Sequence, residues 1–317
     1  MLGQLIDGEW RTTRKQNDND GHFVRTETTF RDHVRDDSSA RFQPESGRYH
    51  LYVSWACPWA HRTLLTRALT GLEEAVSISV VAAHMGEDGW AFSDEPGAIP
   101  DTLNGAKYLR EIYQKAAPNM TGRVTVPVLW DKKHETIVNN ESREIMRMFN
   151  TVFRPLASTS RRLAPAHLID QIDQAIDDIY DPINNGVYKC GFATKQAAYD
   201  KSVEVLFSAL DRYEALLSRQ RYVVGETLTE ADLCLFATLL RFDLVYATHF
   251  KCNLKRIVDY PNLWDFTREV YQLPGVAEVC NIDHIKRHYY TSHESVNPHG
   301  IVAAGFDVDF DEPHSRG

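Results

Sequence analysis

Cys57 is the residue of this chain best placed to do chemistry. It lies in Tyr52-Val53-Ser54-Trp55-Ala56-Cys57-Pro58-Trp59-Ala60-His61-Arg62. An extended apolar run from Tyr49 to Trp55 leads into it. Behind it comes a helical pattern with Leu64, Leu65, Ala68 and Leu69 on one face. Proline suits the first turn of a helix, because its missing N–H is an orphan there anyway. The spacing therefore predicts Cys57 at the N-cap, with backbone N–H groups and the positive end of the helix dipole aimed at its sulfur. Such a setting lowers a thiol pKa from about 8.5 to roughly 3.5–7.5. Three positions on stands Ala60, not a second cysteine, so a dithiol pair lacks its resolving partner. Cys57 can still attack sulfur, and a mixed disulfide would have to be resolved by a small thiol from solution. The alternative is a cysteine serving as a small buried hydrophobe.

The elements that must position Cys57 follow from periodicity. Residues from Arg11 to Gly47 are polar and weakly periodic and read as an extended arm. Strand, helix and strand follow at Tyr49–Trp55, Pro58–Thr70 and Val76–Ala82. An irregular stretch, His84 to Pro100, leads to a helix near Asn104–Lys115. Short strands at Val126–Trp130 and Thr136–Val138 and a helix at Ser142–Phe153 complete the order βαβαββα, that of a thioredoxin-like domain. Beyond Pro155 only helices are expected: Leu168–Tyr180, Gln196–Leu217, Leu235–Thr248, Asn262–Gln272 and Ile282–Tyr290. Thr229 and Asp232 have capping-box spacing, with Leu228 and Leu233 as a staple, so Asp232 is structural. The expected fold is an α/β thioredoxin-like N-terminal domain plus an all-α C-terminal helical domain. Its expected boundaries are an arm over 1–47, the thioredoxin-like domain over 48–155, and helices with a tail over 156–317.

Composition narrows the function classes. With 317 residues, 43% hydrophobic and 25% charged, there is ample chain for two packed domains. A formal net charge of −9 argues against nonspecific nucleic-acid binding, which needs a basic face. No run reaches the roughly 18 apolar residues of a membrane span, and the first ten residues lack a signal-peptide core. Five cysteines without a CxxC form neither a disulfide framework nor a zinc ribbon. A reducing cytoplasm is the simplest compartment. No metal site and no Gly-rich phosphate loop are expected.

Three further segments could serve Cys57. Thr125-Val126-Pro127-Val128 precedes a strand about 70 residues after it. A cis Val126–Pro127 bond would turn the backbone of Val126 outward to pair with a peptide; an ordinary strand-starting proline is the alternative. In Asn139-Asn140-Glu141-Ser142, Ser142 could offer a hydroxyl and an N–H to a carboxylate at a helix start, and Glu141 could pair an ammonium group. A plain N-cap serine is the alternative. Trp90, in a polar loop, could cover a bound peptide or be pinned to the core. Arg123 could pair a carboxylate or be a solvated surface arginine.

A thioredoxin-like domain followed by helices is the glutathione transferase architecture. The chain further resembles one group within it, the glutathionyl-hydroquinone reductases or Xi class. The resemblance rests on Cys57-Pro58-Trp59-Ala60-His61-Arg62, Asp88-Gly89-Trp90, the run Thr121 to Asp131, and Val138-Asn139-Asn140-Glu141-Ser142. It extends through Ile183-Asn184-Asn185-Gly186-Val187-Tyr188-Lys189-Cys190-Gly191-Phe192-Ala193, His249-Phe250-Lys251-Cys252-Asn253 and His284 to Tyr290. It implies Cys57 as nucleophile and Trp90, Arg123, Val126, Glu141 and Ser142 as the glutathione site. It also implies Tyr188 and Tyr289, both in the helical domain, as quinol-binding hydroxyls; by residue type alone they would be packing aromatics. Glutathione is then a consumed co-substrate with no bound cofactor, and a homodimer through the helical domain is implied. An omega-like thioltransferase or dehydroascorbate reductase would use the same cysteine. A non-catalytic glutathione- or ligand-binding protein would not need it.

Overall fold

The computed structural model describes residues 2–13 and 17–316. The strands are β1 (Leu2–Ile6), β2 (Glu9–Thr13), β3 (Tyr49–Val53), β4 (Val76–Val80), β5 (Gly122–Arg123), β6 (Val128–Asp131) and β7 (Thr136–Asn139). The helices are α1 (Pro58–Thr70), α2 (Leu109–Ala116), α3 (Ser142–Asn150), α4 (Ile169–Ile179), α5 (Gly186–Gly191), α6 (Gln196–Leu217), α7 (Glu230–Arg241), the single turn α8 (Ala247–His249), α9 (Pro261–Tyr271) and α10 (Ile282–Ser292). They form two compact units. The first takes residues 2–13, Thr26–Arg161 and Val279–Ser295; the second takes 17–25, Arg162–Glu278 and 296–316.

These units divide the chain differently from the continuous boundaries read from the sequence. The first 47 residues are not one arm. Residues 2–13 are a β-hairpin, and 17–25 group with the helical unit. The segment carrying α10 belongs with the sheet, because its His288 Nδ1 bonds the Ala83 carbonyl at 2.9 Å and its Ser292 hydroxyl accepts the Met85 N–H at 2.9 Å. Long-range hydrogen bonds of this kind leave no periodic trace in a sequence.

In the first unit the main sheet runs β4-β3-β6-β7, with β3 and β4 parallel and the other pairs antiparallel. All five residues of β3 are buried, as expected for a central strand covered on both faces. Within it His50 spans the hydroxyls of Ser77 and Ser79 on β4, at 2.8 and 3.0 Å. At the far end of the sheet, Arg48 Nε and Nη2 grip the two carboxylate oxygens of Asp131 at 2.8 and 2.7 Å. A second sheet, β2-β1-β5, joins the hairpin to β5.

Helix α1 starts as the sequence predicts, with Pro58 in its first turn, and ends at Gly71, whose φ of 68° is left-handed. A β-carbon there would also lie 2.0 Å from the Ser158 hydroxyl, so only glycine fits. Helix α2 starts later than its periodicity suggests. The buried Asp101 carboxylate accepts the N–H groups of Leu103, Asn104 and Ala106, holding that stretch as a loop.

The second unit is helical. Thr229 N–H and hydroxyl both donate to Asp232 Oδ2, at 2.7 and 2.9 Å, and Val223 N–H donates to Oδ1 at 2.7 Å. Burial nonetheless pushes Asp232 up to about 6. Between α4 and α5 a π turn covers Tyr180–Asn184, closed by the Asn185 N–H on the Tyr180 carbonyl at 2.8 Å. Pro182 lacks the donor that an α-helical turn would use there. A second π turn, Phe242–Tyr246, links α7 to α8.

Candidate active site

Cys57 is the N-cap of α1, with extended backbone (φ −74°, ψ 118°) and its carbonyl accepting the His61 N–H at 2.8 Å. The thiol is half-buried and faces the Val126 carbonyl at 3.8 Å. The Val126–Pro127 peptide is cis. None of the five cysteines is in a disulfide, and among the described residues no cluster of three His, Cys, Asp or Glu could hold a metal ion.

The remaining segments of the first unit are tied together by side-chain hydrogen bonds. Glu141, rather than Ser142, is the N-cap of α3 and accepts the Arg143 N–H at 3.2 Å. Ser142 is the first helical residue. Arg62 Nε donates to its hydroxyl oxygen at 3.0 Å, and the Arg62 guanidinium lies 4.6 Å from the Trp59 ring centre. With one lone pair taken by Arg62, the Ser142 O–H donates to Glu141 Oε1 at 3.4 Å. Arg62 was not singled out from the sequence, although it sits on the first turns of α1 within the Cys57 motif.

Tyr113 was also missed. Its hydroxyl donates to the Thr125 carbonyl at 2.7 Å and accepts from Asn140 Nδ2 at 3.0 Å, tying the cis-proline segment to the start of α3. A buried tyrosine at helical spacing carries no sequence signal that separates it from core packing.

Trp90 is 7% exposed and its ring stacks on His288, with centroids 4.8 Å apart and planes at 21°. The ring is thus held by a residue of α10. Arg123 is half-buried on β5, where it pairs with Gln4 of the hairpin. The hairpin also reaches the Trp90 loop, since Trp10 Nε1 donates to the Glu87 carbonyl at 3.0 Å.

The two tyrosines part company. Tyr289, on α10, belongs to the first unit, not to the helical domain as expected; it is 1% exposed and packs against the rings of His288 and His293 at 5.4 Å each. Tyr188, on α5, is in the second unit and half-buried among Phe23, Phe192, Tyr246 and Phe250. Gly191 makes room for that cluster, because a β-carbon there would fall 2.1 Å from the Phe250 ring.

A thioredoxin-like sheet that brings a cis-proline carbonyl to an N-cap cysteine, in a chain that continues as a helical unit, defines a glutathione transferase. Comparison with known proteins agrees. Residues 56–152 match the glutathione S-transferase N-terminal domain, and residues 196–269 the C-terminal domain. The chain is 51% identical to the glutathionyl-hydroquinone reductase YqjG of Escherichia coli K12, covering 99% of this chain and 98% of that protein. The structure of a Xi-class transferase from Natrialba magadii superposes with a TM-score of 0.95 at 55% identity, over 99% of this chain and 96% of the other. Glutathione-bound YqjG superposes with a TM-score of 0.90 at 50% identity, over 99% of each chain. The chain belongs to the Xi class of glutathione transferases, the glutathionyl-hydroquinone reductases.

Proposed function

We propose that this protein reduces S-glutathionyl-hydroquinones to hydroquinones at the expense of glutathione. The observation that carries the reading is the placement of a lone N-cap thiol, Cys57, 3.8 Å from the cis-proline carbonyl of Val126, with Ala60 where a resolving cysteine would stand. Such a thiol makes a mixed disulfide that it cannot resolve internally.

The Cys57 thiolate attacks the glutathione sulfur of the thioether. The carbon–sulfur bond breaks, its electron pair goes to the ring carbon, and a proton completes the hydroquinone. A keto tautomer of the ring makes that carbanion accessible, and a phenol donating to the ring oxygen stabilises the charge. Tyr188 and Tyr289 are assigned that task. A second glutathione attacks the Cys57–glutathione disulfide, releasing glutathione disulfide and the thiolate. The ring gains two electrons, and two glutathione sulfurs lose them. Val126 holds the peptide backbone of glutathione, Ser142 and Glu141 its α-carboxylate and ammonium, Arg123 a carboxylate, and Trp90 covers it. Action in the cytoplasm and assembly as a homodimer through the helical domain belong to the same proposal. Five cysteines outside any disulfide support the compartment, and among the described residues no helix is long and apolar enough to cross a membrane.

The test is glutathione-dependent release of hydroquinone from a glutathionyl-hydroquinone, with Cys57→Ser beside it. Turnover by the native chain and its loss in the variant are expected. A chain that reduces simple glutathione disulfides but not the thioether would be an omega-like thioltransferase instead, and one that turns over neither would be a binding protein.

A further inference from the structure

The segment 17–25 has no part in the chemistry above, yet it is fastened to the turn that directly follows the helix carrying Tyr188. Asn17 Nδ2 donates to the Phe192 carbonyl at 2.7 Å, Thr194 N–H to the Gly21 carbonyl at 3.1 Å, and Lys195 Nζ to the Asn19 carbonyl at 2.7 Å. The strap delivers two side chains to Tyr188. Phe23 is 8% exposed and stacks on the Tyr188 ring at 6.2 Å and 26°. The Arg25 guanidinium carbon lies 5.0 Å from the centre of the same ring. Arg25 is aimed by its Nε, which donates to Asn185 Oδ1 at 2.7 Å, and Asn185 itself closes the π turn that precedes α5.

We propose that Arg25 is a positioning residue for the reductase reaction, acting through Tyr188. A cation over the face of a phenol draws on its π electrons and favours charge build-up at the oxygen. The hydroxyl becomes a stronger donor, and Arg25, whose guanidinium carbon is also 5.3 Å from the Phe23 ring centre, holds the two stacked rings in one orientation. The substrate that profits is one whose ring oxygen gathers negative charge as the carbon–sulfur bond breaks. A disulfide, whose leaving group is a thiolate, gains nothing. The proposal rests on the quinol-binding reading of Tyr188.

The experiment compares Arg25→Gln, Arg25→Lys, Tyr188→Phe and the Arg25→Gln/Tyr188→Phe double variant on two substrates. One is the glutathione thioether of p-hydroquinone; the other is 2-hydroxyethyl disulfide with glutathione, which needs Cys57 but no phenol. Arg25→Gln should lower kcat on the thioether about tenfold, leave disulfide turnover within about twofold, and cost nothing further in the Tyr188→Phe background. Arg25→Lys, which keeps charge but loses the planar fork, should recover part of the loss. Equal loss on both substrates, or additive losses in the double variant, would overturn the proposal. Loss in Tyr188→Phe with full activity in Arg25→Gln would overturn it while leaving Tyr188 in place. Full activity in Tyr188→Phe would remove both.

Discussion

The hydroxyl of Tyr113 donates to the carbonyl of Thr125, 2.7 Å away, one residue before the cis peptide that faces Cys57. The same oxygen accepts from Asn140 Nδ2 at 3.0 Å, and Asn140 Oδ1 in turn accepts the Phe30 N–H at 3.1 Å. One buried phenol thereby sets the spacing between the segment proposed to hold the glutathione backbone and the helix start proposed to hold its α-amino acid end. Burial pushes the Tyr113 phenol up, against the pull of its hydrogen bonds, so it stays a protonated donor.

Tyr113→Phe should loosen this coupling while keeping the core volume. It leaves the Thr125 carbonyl and the Asn140 amide short of a partner, at a cost of roughly 1–3 kcal/mol. Urea unfolding should show a lowered midpoint. Glutathione titration should show weaker binding, whereas alkylation of Cys57 at saturating reagent should proceed as in the native chain. Unchanged glutathione affinity would reduce Tyr113 to a packing residue.

Trp10 braces the site from the other side. It is half-buried, donates to the Glu87 carbonyl, and has the Arg110 guanidinium 5.3 Å from its ring centre. Arg110 also pairs with Asp88, two residues before Trp90. Trp10→Ala should release the Asp88–Trp90 loop. The stability loss should be roughly 1–2 kcal/mol, less than the 3–5 typical of a fully buried tryptophan. KM for glutathione should rise several-fold with kcat little changed. A change in kcat alone would show that the hairpin does something other than brace this loop.

The parts legible in the sequence were those governed by local rules. Pro58 and the apolar face behind it placed Cys57 at a helix start, and Thr229 with Asp232 placed the start of α7; both hold in the structure. Helix α6 was bounded correctly because nothing interrupts its period. What escaped depended on contacts between distant residues. The hairpin 2–13 sits on the short strand β5, a two-residue partner that no pattern announces. The π turn at Tyr180 follows from Pro182, but its consequence for Arg25 needs Asn185 in place. Helix α10 looks amphipathic like its neighbours, and the partners of His284, His288 and Ser292 reveal which unit it joins.

Ala60 offers a direct check on the geometry of Cys57. It is fully buried on α1, three residues after the N-cap. N-cap and third helical residue lie one turn apart, within the roughly 4.4–6.8 Å span of Cα atoms that a disulfide bridges. Ala60→Cys should therefore lose two titratable thiols on mild oxidation, together with all reductase turnover, and regain both on reduction. With five native cysteines the variant has six, so all six thiols titrating in denaturant after oxidation, rather than four, would mean that the Cys57 side chain is not directed along α1.

Mild acid should destabilise the protein through buried imidazoles. Burial pushes His50 and His249 down to about 4 from 6.5. Their folded values lie below the unfolded ones, so between pH 6.5 and 4 the unfolded chain binds more protons and stability is lost as the pH is lowered. At pH 5 each contributes a loss of about 2 kcal/mol. Asp232 works in the opposite sense: burial raises it to about 6 from 3.8, so the folded state takes up the proton first and gains about 1 kcal/mol at pH 5. The histidines win, aided by His284, which burial also lowers. Urea unfolding at pH 7 and pH 5 should differ by about 2 kcal/mol. His50→Gln, which can still reach the hydroxyls of Ser77 and Ser79, should flatten the pH dependence by up to half. Asp232→Asn should steepen it. A stability that rises from pH 7 to pH 5 would show that the two imidazoles are not held neutral as their burial requires.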